Sequence, residues 1–168
     1  VGMILGSGLG PMADAVENPV SIPYSEIPHF ATSTVRGHDG KLVLGTIAGK
    51  TVGVLKGRLH YYEGYHMLQV TFPTRILKAL GASSLVVTNA AGGVNASLSV
   101  GDIMLINDHI HMMPNPLIGP NDERLGLRFP PMAFGYFPGY IKLAHEVAKK
   151  LGIKIHEGVY VGLTGPSF

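Results

Sequence analysis

Arginine, histidine, tyrosine and glutamate crowd together in the stretch GRLHYYEGY, residues 57–65. Arg58 carries a planar fork of donors that suits the oxygens of a phosphate. His60 follows two residues on, so in extended backbone it faces the same way, and Tyr62 continues that face. Glu63 is placed either to anchor the arginine or to orient His60. The aromatic faces suit a sugar or a base. The competing reading is an aromatic cover over the hydrophobic core, with Arg58 paired to Glu63.

Two further turns have the composition of ligand cradles. In Gly6-Ser7-Gly8-Leu9-Gly10 the glycines let successive backbone N–H groups face one point. Ser7 adds a hydroxyl, and a helix starting just after would add partial positive charge. The turn is equally readable as a tight strand-to-helix connection. It lacks the Lys-Ser/Thr ending of a Walker A loop and the spacing of a dinucleotide fingerprint. Asn89-Ala90-Ala91-Gly92-Gly93 leaves its backbone open to a flat or anionic ligand, although packing against a helix explains it as well. His38, in RGHDG, is a loop histidine outside any core pattern. His109 and His111 form a His-x-His at a strand end. No third ligand stands at metal-binding spacing, so a structural or solvent-facing role is favoured and no metal is assigned.

The elements that must position these turns follow from apolar patterning. VGMIL (1–5) reads as a buried strand that runs into GSGLG, and residues 8–16 as one or two helical turns. Residues 42–57 read as two strands joined at Ala48-Gly49-Lys50, a hairpin signal. Residues 66–80 have apolar positions at helical spacing and stop at Gly81, with Pro73 as an interior defect. SLVVTNAAGG (84–93) reads as a buried strand entering the small-residue turn. Residues 102–108 form another strand, 112–139 a proline-rich loop region, 140–151 a second helix closed by Gly152, and 157–163 a last strand. Alternating strands and helices imply an α/β fold with a central twisted mixed β-sheet flanked by helices. The 168 residues suit a single domain.

The composition narrows the function classes. Only 14% of residues are charged against 46% apolar, which points to burial against another subunit or to a well-filled core. A net charge of +2 without basic runs argues against nucleic acid and acidic membranes. The absence of cysteine excludes disulfides and thiolate zinc sites and leans to the cytosol. No apolar run approaches the roughly 20 residues that span a bilayer. Both ends read as interior to a larger fold, so residues 1–168 are expected to be part of a longer parent chain.

GSGLG, GH-x-G around His38, GR-x-H-x-YEGY, VVTNAAGG, VGDIMLINDHI, NPL-x-GPNDER-x-G-x-RF and GPSF occur in this order. Together they resemble the trimeric purine nucleoside phosphorylases of the inosine/guanosine-cleaving type, over nearly the whole chain. The resemblance implies a nucleoside phosphorylase-like fold, incomplete here, and a glycosyltransferase of purine salvage. It would convert nucleoside and phosphate into free base and ribose 1-phosphate. It implies no cofactor beyond inorganic phosphate as co-substrate, a homotrimer, and a cytoplasmic location. It assigns phosphate binding to Ser7, His38, Arg58, His60 and the backbone of Ala90. It assigns the ribose and base to Tyr62, Tyr160, Ala91, Gly92 and Phe168, and the organisation of the loop to Glu63.

Two stretches depart from the family. HIHMMPNPL is shorter than the usual loop and has His111 where Asn is usual. PPMAFGYFPGY (130–140) replaces a Met-Ser-x-Ala-Tyr-Asp pattern. The family's purine-binding groups follow GPSF, so residues 1–168 alone are expected to bind phosphate weakly and to be essentially inactive. The alternative is an inactive phosphorylase-derived fragment or engineered scaffold that binds phosphate or a protein partner.

Overall fold

The computed structural model describes residues 1–33 and 40–167 of the chain. They form two compact units: residues 1–91 with the terminal stretch from Gly165, and residues 92–164.

The first unit is built on a five-stranded mixed sheet. Its strands are β1 (Gly2–Leu5), β2 (Glu17–Pro23), β3 (Lys41–Ile47), β4 (Lys50–Lys56) and β5 (Leu85–Val87), in the spatial order β2-β3-β4-β1-β5. The β3–β4 hairpin turns at Ala48 (φ 48°) and Gly49 (φ 72°). Positive φ at both turn positions matches the right-handed twist of the paired strands, as the sequence predicts. β1 lies parallel to both β4 and β5, with Leu5 opposite Lys56 and Ile4 opposite Val87.

Alternation along the strands splits the core between the two faces. On one face Leu5, Val43, Val52 and Val54 pack with Ala13 and Val16. On the other, Ile4, Leu42 and Leu55 pack with Tyr24 and Leu77. Leu77 comes from α1 (Met67–Ala79), which His66 caps by accepting from the Leu68 N–H. The helix runs through Pro73 and ends at Leu80, with Gly81 at φ 92° beyond it.

The structure refines one expectation, corrects another and adds a strand. The one or two helical turns predicted over residues 8–16 are present, as a six-residue 3-10 helix, Gly10–Ala15. It is too short for a strong macrodipole, so the glycine turn draws little helix charge. Residues 84–93 were expected to begin with a buried strand, yet Leu85, Val86 and Val87 are 40%, 46% and 53% exposed. They form an edge strand paired on one side only, so their apolar character does not translate into burial. Residues 17–23, to which the sequence reading assigns no element, form β2. Pro19 and Pro23 are tolerated because β2 is the opposite edge, and its ladder shifts register between Glu17 and Val20.

The second unit holds β6 (Ile103–His111), α2 (Pro138–Leu151) and β7 (Ile155–Gly162). β6 and β7 are parallel, and α2 lies between them in sequence, as a parallel crossover requires. α2 ends at Gly152, φ 69°, where a left-handed residue closes the helix. Asn107, at the register shift of β6, donates to Glu157 of β7 at 3.2 Å, and His145 of α2 bonds the same carboxylate.

Candidate functional site

The parallel register of β4, β1 and β5 brings three chain exits to one edge of the first sheet. Leu5, Lys56 and Val87 are the last residues of their strands. Beyond them begin GSGLG, GRLHYYEGY and TNAA, with GSGLG in the middle because β1 lies between β4 and β5. Ligands of open α/β sheets gather beyond such ends.

The approach of the first and third turns is close. The Gly6 N–H donates to Thr88 Oγ1 at 2.9 Å. A Cβ on Gly6 would stand 2.5 Å from the Thr88 carbonyl oxygen, so no larger residue fits without separating the turns. Gly8 has φ 82°, and the Leu9 N–H closes the turn onto the Gly6 carbonyl at 3.1 Å. Ser7 and Ala90 are exposed on these turns.

The GRLHYYEGY turn is tied into the same edge by its side chains. Arg58 Nη1 donates to the Thr88 carbonyl at 2.6 Å, and Arg58 Nε points to His60 Nε2 at 3.4 Å. His60 Nδ1 lies 2.8 Å from Glu63 Oε1, which also accepts the His60 N–H at 2.8 Å. Glu63 Oε2 accepts from Ser33 Oγ at 3.1 Å. With the carboxylate on Nδ1, that nitrogen carries the proton and Nε2 presents its lone pair to Arg58. Of the two roles open to Glu63, the structure therefore shows the orientation of His60. The Glu63 side chain is 2% exposed, and its hydrogen bonds offset the cost of that burial.

Backbone geometry explains why this row forms. His60 is extended (φ −122°, ψ 150°), which sends it to the side of Arg58, and the chain then tightens into a 3-10 turn, Tyr61–Glu63. The turn stacks the Tyr62 ring on the His60 ring, 4.7 Å between centroids and 16° from parallel. Tyr62 stays 43% exposed. The GPSF turn packs on Tyr62: a Cβ on Gly165 would lie 2.8 Å from Tyr62 Cδ1. Below the stretch, Tyr24 Oη donates to the Gly57 carbonyl at 2.8 Å, and burial pushes the Tyr24 phenol well above its usual range.

Of the sequence-predicted residues, the structure joins Arg58, His60, Tyr62 and Glu63 in contact and sets Ser7, Ala90 and Ala91 on the neighbouring turns of the same unit. His38 and Phe168 lie outside the described residues. Gly92 and Tyr160 belong to the second unit. There Tyr160 stands opposite His109 in the β6–β7 ladder. The nearby Tyr136 phenol is raised by burial, and next by the charges of Asp108 and Tyr160. His109 Nδ1 is buried without a hydrogen bond among the described residues, and its ring meets those of His111 and Tyr136 edge-on at 6.5 Å and 5.9 Å. Among the described residues no three His, Asp or Glu side chains gather to hold a metal, and no helix is long and apolar enough to cross a membrane. Sequence reasoning missed Tyr24 and Thr88. Neither carries a local signal, since each acts across a long sequence separation.

The chain matches the family model of the phosphorylase superfamily over residues 1–168. It is 56% identical over 169 residues to purine nucleoside phosphorylase 1 of Geobacillus stearothermophilus, covering all of this chain and 62% of that protein. It is 48% identical over 174 residues to the purine nucleoside phosphorylase of Bos taurus, of which it covers 60%. Among solved structures it resembles the Schistosoma mansoni purine nucleoside phosphorylase in complex with acetate, with a TM-score of 0.93 and 45% identity over 99% of this chain and 64% of that one. A purine nucleoside phosphorylase in complex with ribose-1-phosphate gives a TM-score of 0.93 and 46% identity, over 99% and 64% of the two chains. The chain thus spans about three fifths of the length of the relatives it matches.

Proposed function

The chain belongs to the phosphorylase superfamily, and on that footing we propose that its protein cleaves purine nucleosides with inorganic phosphate, giving purine base and ribose 1-phosphate. The observation that carries this reading is the row Glu63–His60–Arg58, set at the sheet edge where the two glycine-bearing turns emerge. Such an edge concentrates oriented donors on one small region, which is what a phosphate dianion requires.

In this reading Ser7, His38, Arg58, His60 and the Ala90 N–H hold phosphate, and Tyr62 lies against the ribose with Tyr160. Ala91, Gly92 and Phe168 line the purine. A phosphate oxygen forms the new bond to C1′ of the ribose. The C1′–N bond breaks, and its electron pair leaves with the base, which takes up a proton. The sugar passes through an oxocarbenium-like state, which the phosphate dianion stabilises by charge. Catalysis then consists of positioning and electrostatic preorganisation, with no protein nucleophile. Glu63 keeps His60 in the tautomer that complements Arg58. Inorganic phosphate serves as co-substrate and no other cofactor is assigned.

The relatives named above support this substrate class, including one solved with ribose-1-phosphate. The family match across both units supports reading residues 1–168 as one nucleoside phosphorylase-like domain. We also read the protein as a cytoplasmic homotrimer. The low charge fraction and strongly exposed side chains such as Ile118, Leu127 and Phe129 support its association.

The test is an assay of the intact protein with inosine and phosphate. Release of hypoxanthine that depends on phosphate, with ribose 1-phosphate as co-product, is the expected result. Hydrolysis independent of phosphate, or no turnover of any purine nucleoside, would overturn the reading.

A further inference from the structure

We propose that Thr88 is a positioning residue for phosphate, one that holds the glycine turn and Arg58 in register through its own hydrogen bonds. The proposal rests on the phosphorolysis reading and names a residue outside the set that reading uses.

Thr88 is the first residue beyond β5, and its polar groups are committed to β1 and the two neighbouring turns. Its N–H donates to the Ile4 carbonyl at 3.0 Å, extending the β5–β1 ladder by one step. Its hydroxyl accepts the Gly6 N–H at 2.9 Å and lies 3.3 Å from the Ile4 carbonyl, to which it donates. Its carbonyl accepts from Arg58 Nη1 at 2.6 Å. One residue therefore grips the chain on either side of Leu5 and also aims the guanidinium.

Two consequences follow for an anion at this edge. The Gly6 N–H is already bonded to Thr88, so the donors that GSGLG turns toward an anion begin at Ser7. The hydroxyl hydrogen of Thr88 goes to Ile4, so Thr88 acts through Gly6 and Arg58 and not by touching the ligand. The contact is steep because a Cβ at Gly6 would meet the Thr88 carbonyl oxygen at 2.5 Å and Asn89 Cα at 2.9 Å. Backbone that close keeps its spacing only while both bonds persist. Removing the hydroxyl strands the Gly6 N–H, which is part-buried and can regain a partner only by moving the turn.

The experiment compares the intact wild-type protein with Thr88→Val, which keeps the branched shape, and Thr88→Ser, which keeps the hydroxyl. Inorganic phosphate is titrated calorimetrically, KM is measured for phosphate and inosine separately, and exchange of the Gly6 amide is followed by NMR. Thr88→Val is expected to weaken phosphate binding roughly five- to thirtyfold, the lower part of the range for stranding a partly buried donor. KM for inosine should stay within about twofold, a split that a general loss of structure would not produce. Gly6 exchange should quicken in Thr88→Val, while Thr88→Ser restores both phosphate affinity and protection. Unchanged phosphate affinity in Thr88→Val overturns the proposal, as does a serine variant as weak as the valine, which would assign the effect to methyl packing. A wild-type protein that neither binds phosphate nor cleaves nucleoside overturns the phosphorolysis reading itself, and with it any phosphate role for Thr88.

Discussion

The buried hydroxyl of Tyr24 donates to the carbonyl of Gly57 at 2.8 Å, pinning the first residue of GRLHYYEGY from beneath the sheet edge. Gly57 has φ 98°, and the bond holds the chain where it leaves β4. Tyr24→Phe removes the donor, keeps the ring against Phe30 (4.9 Å between centroids) and leaves the Gly57 carbonyl without it. The expected loss of stability is about 1–2 kcal/mol, read by urea denaturation. The pH dependence has a definite sign. Burial raises the folded-state pKa of this phenol above its unfolded value, so the native state keeps the proton longer. Stability is fully present below pH about 10 and falls as pH rises beyond it. A Tyr24→Phe protein with the same alkaline fall as wild type would contradict this.

Glu63→Gln tests the row from its buried end. An amide keeps one acceptor but replaces the charge that holds His60 Nδ1–H and accepts the His60 N–H. A fall in kcat/KM of about ten- to a hundredfold is expected, the cost of weakening charge-assisted bonds worth roughly 1.5–3 kcal/mol. The measurement is steady-state kinetics with a thermal melt beside it. Unaltered kinetics would mean that His60 keeps its place without the carboxylate.

Arg58→Ala removes the forked cation from the turn that follows β4. Phosphate affinity should drop about ten- to a hundredfold or more, while binding of a free purine base changes little. Calorimetric titration with each ligand decides it, and equal losses for both would point to a collapsed edge instead of a lost phosphate contact.

In the second unit, His145→Ala should raise the titration midpoint of Glu157. The hydrogen bond from His145 comes first, and that from Asn107 second, in holding this carboxyl below the usual 4.5. A lowered folded-state pKa means that the pair's contribution is present above the ordinary carboxylate range and is lost as pH falls through the folded value. Carboxyl carbon NMR across acidic pH reads the midpoint directly. An unmoved midpoint would assign the lowering to Asn107.

Local chemistry was legible in the chain. Ala48-Gly49 specifies a turn with positive φ, Gly81 and Gly152 end helices, and the spacing of Arg58 and His60 places them on one side before any fold is known, whereas Tyr62 joins them through a 3-10 turn. The ordered motifs were enough to identify the superfamily. These features depend on residues a few positions apart, and their energetics are set within a turn or a strand. The strand order β4-β1-β5 was not legible, because it joins residues 2–5, 50–56 and 85–87 through ladders that leave no periodic trace. That order alone carries the three turns to one edge. It also leaves β5 at the margin, so an apolar run that reads as buried stays exposed, and it admits the proline-bearing β2 at the other margin. Thr88 and Tyr24 gain their roles only there, since a threonine becomes the acceptor for Gly6 and Arg58, and a tyrosine the donor to Gly57, once parallel pairing has brought distant backbone within hydrogen-bond reach.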